Sequence, residues 1–156
     1  MAKWKFEGLD EYLRRLEKLQ GDSRKEIGMA IYDGAGIVAR EVAAEIQKLP
    51  VKNQHQSEGV TALQKNGLVE GFGISHIADD GDYRNVKLGF DGYNKQKTKK
   101  HPNGQPNAMI ARAINSGSSF RKKNPFVDRA TRRAKSKCEA AMRAVIDKAI
   151  NQIMGI

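Results

Sequence analysis

A chain of 156 residues with 39% hydrophobic and 29% charged side chains is long enough for one packed core and polar enough to leave much of itself at the surface. Its single cysteine, Cys138, excludes an intramolecular disulfide and any multi-cysteine zinc site, and no apolar run reaches the ~20 residues that cross a bilayer. The formal net charge of +10 is segregated: residues 1–50 carry 9 basic and 9 acidic side chains, residues 51–90 carry 4 and 5, and residues 91–156 carry 15 and 4, which points the C-terminal part toward nucleic acid or an acidic protein.

The chain opens with Trp4-Lys5-Phe6-Glu7-Gly8, which alternates apolar and polar like a short strand and has no signal-peptide core, so a protein made in the cytosol is expected. Leu9, Tyr12, Leu13, Leu16 and Leu19 recur at helical spacing, with Asp10 and Glu11 at the positive end of the helix dipole and Gly21 as the expected stop. A second helix is expected from an Asp22 or Ser23 cap, through Ile27, Ile31, Ala35, Val38, Val42, Ile46 and Leu49, to Pro50. Gly34 and Gly36 inside it cost about 1 kcal/mol each against alanine, which implies close approach of another backbone or a kink.

Residues 50–67 read as a loop with one helical turn near Thr61 to Lys65. Residues 68–77 and 83–90 alternate as two strands around the turn-forming Asp79-Asp80-Gly81-Asp82, so a β-hairpin is predicted. Residues 91–107 form a long flexible loop by composition, with Lys95, Lys97, Lys99 and Lys100 at its centre. A helix with Met109, Ile110, Ala113 and Ile114 on one face follows and stops at Gly117. Arg121, Lys122 and Lys123 make a second basic loop. Asn124 as cap and Pro125 at the first position then open a long helix whose apolar stripe lies opposite Arg129, Arg132, Arg133, Lys137 and Arg143. The fold class predicted is α+β, one domain over 1–156, with long N-terminal and C-terminal amphipathic helices packed on a small antiparallel β-sheet with a central hairpin.

No residue pattern carries catalytic chemistry. His55, His76 and His101 are scattered without metal-ligand spacing, and the acidic turn fails as an EF-hand because its final glutamate position falls on Phe90 or Asp91. Asp82 has Asn85 and Lys87 nearby where a metal nuclease would want a second carboxylate. Gly71 and Gly73 lie in a predicted strand with no βαβ helix after them, so they read as hairpin or bulge glycines. Cys138 sits on the apolar stripe and reads as a buried, inert thiol. The expectation is a non-enzyme with no cofactor and no metal. Its candidate contact residues are Lys95, Lys97, Lys99, Lys100, Arg121, Lys122 and Lys123, facing DNA phosphates or an acidic surface.

The order of parts then matters: Phe6-Glu7-Gly8-Leu9-Asp10-Glu11-Tyr12-Leu13 before a long alanine-rich helix, Asn85-Val86-Lys87-Leu88-Gly89-Phe90-Asp91-Gly92-Tyr93-Asn94, Pro102-Asn103-Gly104-Gln105-Pro106-Asn107-Ala108-Met109-Ile110-Ala111-Arg112, and Ser116-Gly117-Ser118-Ser119-Phe120-Arg121-Lys122-Lys123-Asn124-Pro125-Phe126. Over nearly its whole length the chain resembles the gene-product-ten-like tail-component family of long-tailed double-stranded DNA bacteriophages. Gln64-Lys65-Asn66-Gly67-Leu68-Val69-Glu70 departs from the Thr-Gly-x-Leu-Arg segment found before the hairpin in many members. The resemblance implies a virion structural protein of the neck, a ring-forming homo-oligomer in head-tail joining or tail completion. It would be made in the host cytoplasm and would touch other neck and tail proteins and, non-specifically, the DNA in the channel. The alternative from charge alone is a non-sequence-specific nucleic-acid-binding protein.

Overall fold

The computed structural model describes residues 9–52, 59–79 and 84–155. The strand expected at residues 4–8, His55, and the Asp80 to Asp82 part of the turn lie outside the described residues. Among those described, the first element is one helix, α1 (Leu9–Gln47), of 39 residues, about 58 Å long at ~1.5 Å per residue. The break expected at Gly21, with a new cap at Asp22 or Ser23, does not occur. The reason is tertiary: the last helix, α4 (Phe126–Met154), runs antiparallel beside α1 from Glu45 back to Arg15, past Gly21. Continuing the helix keeps the apolar stripe on α4, which outweighs the ~1 kcal/mol that one exposed glycine costs.

Three contacts show how the two helices align. Arg129 meets Glu45 at one end, a Cβ at Gly34 would lie 2.7 Å from Met142 Cγ and 2.9 Å from Cys138 Sγ in the middle, and Arg15 Nη1 donates to Met154 O at 2.6 Å at the other end. Gly34 therefore permits close approach, of α4 side chains rather than a backbone. Gly36 does not: among the described residues only the Arg40 side chain comes near it.

The core closes the end of this hairpin where α1 stops and α4 starts. Val42, Ile46, Leu49, Val60, Leu68, Ile110, Ala111, Ile114, Phe126 and Ala130 are buried together there, with Leu68 and Phe126 fully inaccessible. Leu68 belongs to α2 (Ala62–Gly71), which turns the first four residues of the predicted strand into helix. Thr61 and Gln64 form a reciprocal capping box, Thr61 Oγ1 accepting from Gln64 N at 3.1 Å and Gln64 Oε1 accepting from Thr61 N at 3.2 Å. Once that cap sets the phase, Gln64, Gly67, Leu68 and Gly71 fall on the inner face. Gly71 is thus a helix-end glycine and not a bulge glycine, and a Cβ on it would sit 2.3 Å from Asp91 O.

The predicted hairpin is present but shorter and divided. Strand β1 (Phe72–Ile74) pairs antiparallel with β4 (Leu88–Phe90), and β2 (Ala78–Asp79) with β3 (Arg84–Asn85). Ile74 faces Leu88 and Ala78 faces Asn85, so three residues on one strand oppose two on the other, a bulge that shifts the register by one. Ser75 spans it: its N–H donates to Lys87 O at 2.8 Å and its Oγ accepts from Lys87 N at 2.9 Å. The hairpin lies along α1, with Tyr32 Oη donating to Ser75 O at 3.5 Å and Arg84 donating to Arg24 O. At its base the Phe90 ring lies 5.1 Å from Phe72 and 6.1 Å from Phe126, which ties the β region to the core.

The last short helix, α3 (Asn107–Ser116), ends at Gly117, whose φ of 78° suits glycine. The cap of α4 also differs from expectation. Asn124 supplies no cap and Pro125 is the residue before the helix; Asn115 Oδ1, reaching from α3, accepts from Val127 N at 3.1 Å and Asp128 N at 3.3 Å.

Candidate functional site

The lysine loop is built, not a run without contacts of its own. Asn94 N donates to Gln105 O at 2.9 Å and Asn107 N to Gly92 O at 3.0 Å, while Thr98 and His101 exchange backbone bonds at 3.0 and 3.1 Å. Its side chains alternate. Asn94 is buried, and Gln96 and Thr98 are half-buried, while Lys95, Lys97 and Lys99 between them are exposed together with Lys100. Asn94 Oδ1 accepts from Gln96 N at 2.9 Å and Gln105 N at 3.3 Å, which holds the segment extended and turns the lysines outward.

Gln64, buried on the first turn of α2, joins this loop to the second basic segment. Its Nε2 donates to Gln105 Oε1 at 2.8 Å, and its Oε1 accepts from Arg121 Nη2 at 3.3 Å. The structure thus links two of the sequence-predicted groups, the lysine loop and the Arg121 turn, through one side chain. Arg121 is unlike its neighbours. Lys122 and Lys123 are exposed, whereas the Arg121 guanidinium is partly buried, its Nη1 has no hydrogen-bond partner among the described residues, and burial pushes its pKa below the ordinary value.

Arg121, Lys122, Lys123 and Arg129 line a cleft of about 290 Å³ whose other walls are Leu49, Pro50, Gly59, Val60, Ile114, Asn124 and Pro125. Arg129 is already engaged: it reaches Glu45 at 2.8 Å and Asn124 Oδ1 at 3.0 Å. The cleft is therefore a concave, half-apolar space in which Arg121 and Lys123 make no ion pair among the described residues.

The basic face of α4 is less available than its sequence suggests. Arg133 pairs with Glu45 at 3.1 Å and with Glu41 at 3.6 Å, and Lys137 reaches Glu41 at 3.9 Å, so α1 neutralises much of the row. Glu45 itself is 2% exposed. Burial pushes its carboxyl up, but the hydrogen bonds and charges of Arg129 and Lys48 overcome that and hold it below the ordinary carboxylate range. Sequence reasoning missed Glu45, though Glu41 and Glu45 one turn apart on α1, against basic residues spaced by four on α4, were a readable signal.

Asp79 and Cys138, two groups that could have carried chemistry, have structural partners. Asp79 pairs with Arg84 at 3.0 Å, and Cys138 is partly buried with Sγ 3.8 Å from Met142 Sδ. Among the described residues no three His, Cys, Asp or Glu side chains gather as a metal site, and no helix is long and apolar enough to cross a membrane. No family model, no curated protein and no solved structure matches this chain.

Proposed function

We propose that the chain is a structural subunit of the neck of a long-tailed bacteriophage, acting in head-tail joining or tail completion as one member of a homo-oligomeric ring. One observation carries the reading: the α1 arm beyond the core bears two part-exposed apolar strips. Tyr12, Leu13, Leu16 and Ile27 fall within about 100° of arc, and Met29 and Tyr32 lie on a different side of the same helix. Tyr12, Leu13, Met29 and Tyr32 are 40–50% exposed. Two apolar strips on different sides of one arm suit a heterologous contact, strip one of each copy against strip two of the next, which closes into a ring when the rotation permits. The resemblance in residue order to the tail-component family supports the same role, with other neck and tail proteins as further partners in the virion.

Sedimentation of the purified protein and electron microscopy test this reading. A closed ring, and unjoined heads and tails when the gene is disrupted in its phage, are expected; infectious particles formed normally without the protein overturn it. A second reading, a non-sequence-specific nucleic-acid-binding protein, is favoured by Lys95, Lys97, Lys99 and Lys100, exposed together on one braced loop. Binding to duplex DNA at low salt, lost steeply as salt rises, is its signature.

A further inference from the structure

We propose that the cleft beneath Arg121 is a docking site for an acidic side chain, a glutamate or aspartate presented beside an apolar residue on a segment of a partner protein. The lining divides into two chemistries. Leu49, Pro50, Val60, Ile114 and Pro125 form apolar walls, and Arg121, Lys122, Lys123 and Arg129 place positive charge around them. Of the four cations, Lys122 has a partner and Arg129 is spent on Glu45 and Asn124. Arg121 is not: Nη2 makes one long bond to Gln64, and Nη1 is buried without a partner among the described residues.

A buried guanidinium nitrogen without a protein acceptor is costly, and a carboxylate entering the cleft can supply one. Arg presents its donors as a planar fork, which a carboxylate meets with two oxygens. Burial of Arg121 strengthens that meeting, because a charge already stripped of much of its water has less desolvation left to undergo on binding.

Shape separates a carboxylate on a stem from a duplex backbone. DNA presents phosphates along a wide polyanionic rod and is met by projecting side chains such as those of Lys95, Lys97 and Lys99. A cleft of about 290 Å³ with apolar walls admits a slim side chain and its neighbour, and the walls reward an apolar residue that a sugar-phosphate chain does not offer. The two basic segments thereby take different partners: the lysine loop any polyanion, the Arg121 cleft a carboxylate.

The inference rests on the assembly reading only for the partner being a protein. The test is fluorescence anisotropy of the full chain with a labelled, capped peptide alternating Glu and Leu, and separately with a short DNA duplex, for wild type, Arg121→Gln, Lys123→Gln and a Lys97→Gln/Lys99→Gln double variant. Peptide affinity is expected to fall about tenfold or more in R121Q, several-fold in K123Q and less than about twofold in the loop variant. Amide shifts of residues 121–125, rather than 95–100, are expected to move when wild type is titrated with the peptide, a readout that stands even where R121Q fails to fold. Equal loss in all variants, shifts confined to the lysine loop, no peptide binding, or an Arg121 dependence seen for the duplex and not for the peptide each overturn the proposal. A chain that binds the peptide through Arg121 but never assembles removes the ring reading and leaves this one standing.

Discussion

Glu45 of α1 and Arg129 of α4 meet at 2.8 Å across the antiparallel helix pair, with the carboxylate 2% exposed and the Arg129 side chain 44% exposed. That asymmetry decides which partner is dispensable. With Glu45 removed, Arg129 and Arg133 turn toward water, so Glu45→Met is expected to cost about 1–2 kcal/mol. Removing both arginines leaves a buried carboxylate with only Lys48, so Arg129→Met/Arg133→Met is expected to cost more, about 3–5 kcal/mol. Urea unfolding of the two variants side by side checks the order, and a larger loss for Glu45→Met contradicts it.

The same carboxylate gives a pH dependence with a definite sign. The folded pKa of Glu45 is depressed, so as pH falls the unfolded chain takes up the proton first. The stability it contributes is whole above the unfolded value, near 4.3, and is lost as pH falls through the folded value. The urea midpoint difference between wild type and Glu45→Gln is therefore expected to be full at about pH 7 and to shrink below about pH 4. A difference that grows on acidification runs against the assignment.

Two glycines of equal helix propensity are expected to respond oppositely to alanine. A Cβ at Gly21, inside α1, meets nothing within 4 Å among the described residues, so Gly21→Ala gains about 0.5–1 kcal/mol from backbone entropy alone. A Cβ at Gly67 would lie 2.4 Å from both Asn107 Oδ1 and Asn94 Cβ and 3.1 Å from the Asn94 backbone, so Gly67→Ala forces α2 away from the 91–107 segment. Its cost, about 1–3 kcal/mol, reverses the propensity gain. Thermal melts of the pair separate packing from propensity, and a stabilised Gly67→Ala chain contradicts the close approach.

Those glycines also show where the sequence stops being informative. Gly21 reads as a helix stop because local rules weigh a glycine followed by Asp22 and Ser23, two good caps, and cannot weigh an α4 lying alongside. Leu68 to Gly71 reads as strand because loose alternation survives in a helix whose Gln64-to-Leu68 spacing is equally present; the arbiter was Thr61 with Gln64, a capping box. The hairpin pairing and the α3 helix with its Gly117 stop were legible because each rests on contacts close in sequence. Met109, expected on the inner face of α3, is nevertheless exposed while Ala111 is buried, and the cap of α4 comes from Asn115 rather than Asn124. The basic residues were legible as charge, but not which were free: Arg129, Arg133 and Lys137 meet acids on α1 more than eighty residues away. The lysines that alternate with Asn94, Gln96 and Thr98 could have been recognised as an outward-facing row.

The Asn115 cap predicts coupling between α3 and α4. Its Oδ1 accepts from two N–H groups of the first turn of α4, and Asn124 N also donates to Ile114 O at 2.8 Å. Asn115→Ala is expected to cost about 1–2 kcal/mol, and Asn115→Asp to recover most of it through the helix dipole. Hydrogen exchange at Val127 and Asp128 reads the effect locally, and unaltered protection in Asn115→Ala refutes the capping role.

The apolar strips give the prediction on which the assembly reading depends most directly. Leu13 and Met29 are 47% and 48% exposed and belong to different strips. A glutamate at either position leaves the buried core untouched, so the isolated chain should melt within about 0.5 kcal/mol of wild type. In a heterologous contact each strip is one half of every interface, so Leu13→Glu alone and Met29→Glu alone should each abolish the ring. Mixing the two variants then makes a sharper demand. A Leu13→Glu copy still offers an intact second strip and a Met29→Glu copy an intact first strip, so one productive contact per pair survives and dimers, but no rings, should sediment. Restored rings in the mixture, or single variants that assemble as wild type, would show that the strips do not meet each other.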